Sequence, residues 1–397
     1  MPKALEGIRV LDLTRVLSGP FCTAMLADMG AEVIKVENPD GGDMSREPSV
    51  EVNGESYYFM SLNRGKKGIT LNLKDPQGVA VLKELAVASD VLVENFRPGV
   101  MDRLGLDWES LKAVNPRLIY ASISGFGQQG PLSQRPAFDL IAQAMGGIMS
   151  INGPADRPPT RVGVSLGDTS TALYTAFAVV SALFARQRSG AGQRIDVAMV
   201  DSIFSLLEMA LFQYLGNGQV PGRVGSRHPT SYPYDAFRAA DGHFVVATFE
   251  NTAFERLCQA MEMPELAQRP EFSSDTRRGR PDAAAELKQI IETWAATRTV
   301  ADVVAHLEHY KIPVSPILDI GQVAESEHIQ AREMLTAVDH PVAGTVRLPA
   351  LPVKFSDTPA QIQGPSPLLG QDTDRVLAEL LGYDVQRINT LRSAGVI

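Results

Sequence analysis

Few of the 397 residues stand in an arrangement that could make or break a covalent bond. Gly163-Val-Ser-Leu-Gly167 has the G-x-S-x-G spacing of a nucleophile elbow, the turn that presents a serine to an activated carbonyl. An elbow needs a buried strand just before the serine and a helix directly after it. Pro158 and Pro159 leave almost no length for that strand, and the helical pattern begins only after Asp168, so a serine thioesterase built on Ser165 is the weaker reading. Asp168-Thr-Ser-Thr171 opens the most apolar helix of the chain and supports two readings. The carboxylate either caps the helix, as aspartates commonly do, or stays ionised under the helix amides and attacks an activated carbonyl. The six histidines, His228, His243, His306, His309, His328 and His340, form no H-E-x-x-H pair and join neither cysteine, so no metal site is expected. His306 and His309 share a helix face that reads as solvated surface.

The elements that must carry these groups follow an α/β pattern. Ile8–Leu13, Glu32–Glu37, Ile69–Leu73, Asp90–Glu94 and Leu118–Ser124 read as strands, Phe21–Met29 as a helix and Asp75-Pro76 as a helix start. Strands alternating with helices predict a parallel sheet. The loop after the first strand, Thr14-Arg-Val-Leu-Ser-Gly-Pro20, holds one glycine before Pro20 and lacks G-x-G-x-x-G, which disfavours a dinucleotide even though Glu37 stands where a ribose ligand would. Gly65-Lys66-Lys67 lacks the spacing of a Walker loop, so ATP chemistry has no support. Arg15, Lys74, Arg97 and Arg103 each follow or flank a strand end, where open α/β sheets bind ligands, and could converge on one phosphorylated molecule. Taken singly, each reads as surface charge.

Further along, Thr169–Arg188 is predicted as a long apolar helix, Ile195–Met199 as a strand and Val200–Tyr214 as one helix. Gly216–Pro233, dense in Gly, Pro and Arg, reads as a linker and domain boundary. Beyond it, a hairpin around Ala240-Asp-Gly242, helices from Thr252 and Ala283, strands at Ile312–Ile317 and Thr345–Phe355, and a capped helix over Asp374–Leu381 are predicted. With 44% hydrophobic and 21% charged residues the chain reads as globular, and a net charge of −9 excludes the basic field that non-specific nucleic-acid binding needs. Two cysteines, Cys22 and Cys258, and the lack of a charged-then-apolar leader over Met1–Val10 predict a reducing cytoplasm. The best membrane candidate, Thr171–Phe184, is too short and carries Thr, Tyr and Ser, so no membrane partner is expected.

A resemblance extends these readings. Val10-Leu-Asp-Leu-Thr with Ser18-Gly-Pro, Gly30-Ala-Glu-Val-Ile-Lys-Val-Glu37, Gly42-Asp-Met-Ser-Arg46 and Asp90-Val-Leu-Val-Glu-Asn-Phe-Arg-Pro-Gly99 are similar to segments of the class III CoA-transferases. So are Asn115-Pro-Arg-Leu-Ile, Ser124-Gly-Phe-Gly-Gln, Leu166-Gly-Asp-Thr, Gly190-Ala-Gly-Gln193 and Arg238-Ala-Ala-Asp-Gly242. The superfamily includes formyl-CoA transferase, carnitine CoA-transferase and alpha-methylacyl-CoA racemase. The resemblance implies an α/β fold with a large Rossmann-like domain over residues 1–215, a linker and small α+β domain over 216–325, and a C-terminal segment, 326–397, returning to the large domain. It also implies an interlocked homodimer whose active site draws on both subunits.

On this resemblance Asp168 is the nucleophile, and coenzyme A arrives as substrate, with no tightly bound cofactor. The CoA contacts it implies are Val16, Ser18, Leu71, Lys74, Asn95, Phe96, Arg97 and Arg103, the cations neutralising phosphates. The partners are then an acyl-CoA and a free carboxylic acid, and the Arg-rich loop around Arg223 and Arg227, read as facing the site, points to succinate and related dicarboxylates. Racemases of the superfamily pair the aspartate with a histidine, but in Arg135-Pro-Ala-Phe-Asp139 the histidine position is Phe138, whose ring carries no proton, so the 2-methylacyl-CoA racemase alternative loses one of its two groups. Pro221-Gly-Arg-Val-Gly-Ser-Arg-His-Pro229 lacks the glycine run of formyl-CoA transferases, which argues against formate and oxalate. Arg223, Arg227 or His228 either meets an acid's carboxylate or decorates a loop, and Asp139 either orders the active-site loop or is structural.

Overall fold

Parallel strands buried on both faces demand largely apolar runs, and such strands form the middle of a six-stranded sheet whose edge strand over 194–198 instead alternates exposed and half-buried residues before its buried end. The six are β1 (Arg9–Asp12), β2 (Glu32–Glu37), β3 (Lys67–Thr70), β4 (Val91–Glu94), β5 (Ile119–Ser124) and β6 (Arg194–Ala198), in the order β3-β2-β1-β4-β5-β6 and all parallel. The computed structural model describes residues 3–47 and 49–397; Met1 and Pro2, which open the segment read for a leader, lie outside them. Alternate residues along the strands feed two cores. Leu11, Ile34, Ile69, Leu92 and Tyr120 face one, and Val10, Val33, Val91, Ile119 and Ala121 face the other.

Helices cover both faces. These are α1 (Ser18–Asp28), α2 (Tyr57–Asn63), α3 (Pro76–Val87), α4 (Asp139–Met145) and α5 (Leu166–Ser189). α1 and α5 pack on the second core through Cys22, Leu26, Ala172, Ala176 and Val179, while Val81, Leu82 and Leu85 of α3 enter the first. α3 begins as its sequence predicts, with Asp75 accepting the Gln77 N–H and Pro76 in the first turn. α5 is long and apolar enough to cross a membrane by length and composition, which the Thr171–Phe184 window alone does not suggest. Its buried stripe nevertheless lies in the sheet's core.

By its internal contacts the chain divides into two units, one of residues 1–148, 161–208 and 327–397, the other of 149–160 and 209–326. The predicted helix over Val200–Tyr214 is two, α6 (Met199–Ser205) and α7 (Glu208–Asn217), interrupted where Glu208 takes a positive φ of 42°. Residues 149–160, which the predicted 1–215 boundary assigns to the large domain, pack with the second unit instead. The reason is local, since Arg223 donates to the carbonyls of Pro154 and Arg157, and Gly225 N–H to that of Gly153.

The second unit carries β7 (Tyr234–Arg238), β8 (His243–Ala247), α8 (Asn251–Ala260), α9 (Pro281–Ala295), α10 (Val300–His309) and β9 (Val314–Pro316). Its three strands form an antiparallel sheet with β8 central, over a core of Phe237, Phe244, Phe254, Leu257, Leu287 and Ile291. The chain then forms the hairpin β10 (Leu335–His340) and β11 (Gly344–Pro349), shorter than the strand predicted to Phe355, and ends in α11 (Thr373–Leu381) and α12 (Val385–Ser393). Val376, Leu377, Ile388 and Leu391 of these last helices fill the core beneath β1 and β2.

Candidate active site

The strand order reverses between β1 and β4, and at such a switch point the loops leaving the carboxyl ends diverge and open a crevice. A cavity of about 290 Å³ sits there, lined by Leu13, Thr14 and Arg15 after β1, Glu37 and Asn38 after β2, Leu71 to Lys74 after β3, and Phe96 after β4. Three predicted CoA contacts, Leu71, Lys74 and Phe96, thus meet in one cavity, joined by Arg15, whose guanidinium lies 5.0 Å from the Phe96 ring centre. Arg97 and Arg103 do not join them. Arg97 lines a separate cavity of about 120 Å³ with Glu94, Trp108 and Tyr120, and Arg103 projects into solvent beside Gly99.

Charge is buried under this crevice. Asp12 receives the Lys66 ammonium at 2.9 Å, the Thr23 hydroxyl at 2.6 Å and the Thr14 hydroxyl at 2.5 Å, while Lys35 donates to Asp43 at 2.9 Å. Burial alone would raise both carboxyls, but the ammonium groups and hydrogen bonds outweigh it and hold Asp12 and Asp43 below the usual range. Burial pulls Lys66 down to about 8, against the pull of Asp12. Above the pairs runs the β1–α1 loop. Asn95 takes the Arg15 N–H at 2.8 Å, returns its amide to the Arg15 carbonyl at 2.8 Å, and reaches the Ser18 hydroxyl at 3.4 Å. Asn95 therefore straps the loop from Arg15 through Val16 to Ser18; Arg15 lines the cavity, whereas Val16, Ser18 and Asn95 do not.

Asp168 stands at the third position of α5, partly buried, and it does not cap the helix. Helix geometry begins at Leu166, three residues before the predicted start, and the Gly167 N–H is satisfied from outside by Asp139 Oδ1 at 2.8 Å. Asp139 Oδ2 accepts from Gln143, whose own carbonyl holds the Val162 N–H, both at 2.8 Å, so α4 pins the segment that leads into α5. Ser165 follows no strand and makes no cap, so the elbow geometry is absent. Burial pushes the Asp168 carboxyl up to about 6, the nearby Asp139 charge pushes the same way, and a hydrogen bond from Ser18 opposes them.

Tyr58 and Gln143 belong to this neighbourhood and carried no motif. Burial, then the fields of Asp168 and Asp43, push the Tyr58 hydroxyl up to about 12, which keeps it a proton donor beside the carboxylate. Gln143, wholly buried four residues after Asp139, is legible only as a polar residue on a helix's inner face. Phe138 is 75% exposed at the start of α4. In the second unit, Arg227 donates to the Gly279 carbonyl at 2.8 Å, and His228 Nδ1 accepts the Ser231 N–H at 3.1 Å while its ring stacks on Tyr234. Both side chains are thus held within the second unit, Arg227 against the turn before α9 and His228 within its own loop. Among the described residues no cluster of three His, Cys, Asp or Glu side chains is arranged to hold a metal ion.

A family model described as CoA-transferase family III matches residues 5–373. The succinyl-CoA:mesaconate CoA-transferase of Haloarcula hispanica is 42% identical over 98% of this chain and 99% of its own length. The acetyl-CoA:oxalate CoA-transferase of Acetobacter aceti is 44% identical over 88% of this chain and 89% of its own. Among solved structures, a CAIB/BAIF family protein from Brucella suis superposes with a TM-score of 0.85 at 36% identity, covering 96% of this chain and all of that one. A family model over residues 5–373, relatives more than 40% identical along most of the chain, and a fold shared throughout its length place the chain in CoA-transferase family III, as an enzyme that transfers CoA.

Proposed function

We propose that the protein moves CoA from an acyl-CoA donor, succinyl-CoA foremost, to a free dicarboxylic acid, with Asp168 as nucleophile. One observation carries the reading. Asp139 takes over the capping of α5, which leaves Asp168 beside the helix amides with burial raising its affinity for its proton. A cap residue has its charge spent on the backbone, whereas this one keeps a lone pair for an electrophile.

The chemistry balances without ATP. Asp168 attacks the donor thioester, the acyl–sulfur bond breaks, and a mixed anhydride and CoA thiolate result. The thiolate attacks the aspartyl carbonyl, the donor leaves as its free acid, and an aspartyl-CoA thioester remains. The acceptor carboxylate then attacks this thioester to give a second anhydride, and the thiolate attacks the acceptor's acyl carbon, releasing the new acyl-CoA and the Asp168 carboxylate. The strap of Val16, Ser18 and Asn95, with Leu71, Lys74 and Phe96 at the cavity, is the proposed seat of CoA; Arg97 and Arg103 would meet its phosphates only outside that cavity.

The dicarboxylate class rests on the first relative above, whose mesaconate carries two carboxyl groups; the oxalate of the second runs against the expectation drawn from the missing glycine run. Phe138 lacks the proton a racemase needs. The protein is further read as a cytoplasmic homodimer. Its buried free cysteines suit a reducing compartment, and the outer apolar face of α5 suits a second copy.

The test is peptide mass spectrometry after mixing with a panel of acyl-CoAs and quenching with hydroxylamine or borohydride. Modification confined to Asp168, with turnover lowered at least ~10³-fold in Asp168→Ala, is expected. CoA release that depends on Ser165 and leaves Asp168 unlabelled would replace the transferase mechanism by hydrolysis.

A further inference from the structure

We propose that Asp43, clamped by the buried Lys35 ammonium, is a positioning residue for the nucleophile: it holds the Val16 backbone in a left-handed conformation and so sets the Ser18 hydroxyl at Asp168. The inference deepens the reading of Asp168 as nucleophile and rests on it.

Val16 has a φ of 67°, a region that β-branched side chains rarely enter. Something must hold it there. Its N–H points at the Asp43 carboxylate, 3.1 Å from one oxygen and 3.3 Å from the other. Asp43 is in turn fixed on every side. Lys35 donates to it and to the Thr14 carbonyl at 2.8 Å, so one ammonium ties carboxylate and loop together. Asp43 also accepts the Ser45 N–H at 3.0 Å and gives its own N–H to Glu37 at 3.0 Å; Glu37 is gripped by both arms of Arg46 at 2.7 Å, and that guanidinium lies 3.7 Å from the Phe59 ring centre. Asn95 holds the preceding peptide, and the Leu17 carbonyl accepts the Phe21 N–H, so the next peptide is already the mouth of α1. Ser18 follows at the first position of α1, where the Asn95 amide approaches its hydroxyl at 3.4 Å and that hydroxyl favours the Asp168 anion.

Stability alone does not call for this pair. A buried ion pair is often replaceable by apolar residues of similar volume without loss. What apolar residues cannot supply is an acceptor for the Val16 N–H at the one place where the backbone is strained.

The experiment compares the single-turnover rate of Asp168 acylation, at saturating acyl-CoA, among variants whose folding is monitored by circular dichroism. Lys35→Met with Asp43→Leu removes both charges and the acceptor together. We expect a folded protein acylated at least tenfold more slowly, with Asp43→Asn, which retains a carbonyl acceptor, in between. Adding Val16→Gly to the double variant should recover much of the rate, because glycine enters the left-handed region unaided. A double variant within twofold of wild type, or no recovery with Val16→Gly, would overturn the proposal. Ser18→Ala leaves the pair intact and decides the matter even where the double variant fails to fold: slowing of at least fivefold is expected, and an unchanged rate overturns it. Wild-type protein acylated elsewhere than Asp168 would instead remove the nucleophile reading beneath it.

Discussion

A carboxyl group whose proton leaves only near pH 6 has consequences for both rate and stability. Asp168 faces Asp139 from α4, Ser18 from α1 and Tyr58 from α2, so one negative charge, one hydroxyl donor and one neutral phenol surround it. As nucleophile it must be ionised, and kcat/KM is expected to fall as pH drops through about 6. Ser18→Ala removes a bond that favours the anion and should move that acid limb to higher pH, which a pH–rate profile reads directly. For stability the sign runs the other way. The folded-state pKa lies above the unfolded value near 3.8, so ionisation costs folding free energy in full above about 6 and none well below 3.8. Asp168→Asn should therefore raise thermal stability at pH 7.5, by of order 2–3 kcal/mol, with the gain vanishing towards pH 4. An unchanged melting temperature at both pH values would show that the site carries no such strain. The position of Asp168 was legible from Leu166-Gly-Asp-Thr, but its release from capping was not, because the group that replaces it, Asp139, lies on another helix, 28 residues before the Gly167 whose N–H it accepts.

Elements of the sheet were legible because burial on both faces leaves a run of apolar residues with little else to mean. β2 runs over Glu32–Glu37 as predicted, and β1, β4, β5 and β6 agree to within one or two residues at each end. α2, by contrast, has a sequence, Tyr-Tyr-Phe-Met-Ser-Leu-Asn, too short and too uniformly apolar to show a 3.6-residue period, and Tyr58 went unseen with it. The buried ion pairs were invisible for a related reason. Lys66 and Asp12 sit 54 positions apart, and only the packing of α1 and α2 against the sheet brings them to 2.9 Å. Lys66→Ala leaves Asp12 fully buried with its hydroxyl partners and the weaker field of Lys35, but with no ammonium bonded to it. It should cost about 3–5 kcal/mol in denaturant unfolding, whereas Asp156→Ala, which opens the fully exposed 3.9 Å contact with Arg157, should change nothing measurable. Equal effects of the two would mean that the Asp12 cluster is solvated after all.

At the scale of the molecule, one surface remains unaccounted for by a single chain. Phe177 is 74% exposed in the middle of α5, with Leu173 and Phe184 a turn or two away, and α4 shows Phe138, Leu140 and Met145. A soluble monomer rarely leaves that much apolar area to water, and a two-fold partner offers the same surface back to itself. The proposed homodimer predicts a solution mass of about twice 42.9 kDa by light scattering. Interlocking adds a sharper expectation. If each chain threads its partner, there is no folded monomer to fall back on, so charging this face with Phe177→Asp and Phe184→Asp should yield aggregated or unfolded protein rather than a soluble half. A dimer joined only by an apolar patch would dissociate into folded monomers on the same substitutions. Recovery of such monomers, with native circular dichroism, would retain the dimer and discard the threading; a monomeric wild type would discard both. The sequence marked Phe138 only as a missing proton carrier, because a helix's outer face announces its partner through exposure, and exposure is a property of the assembled fold.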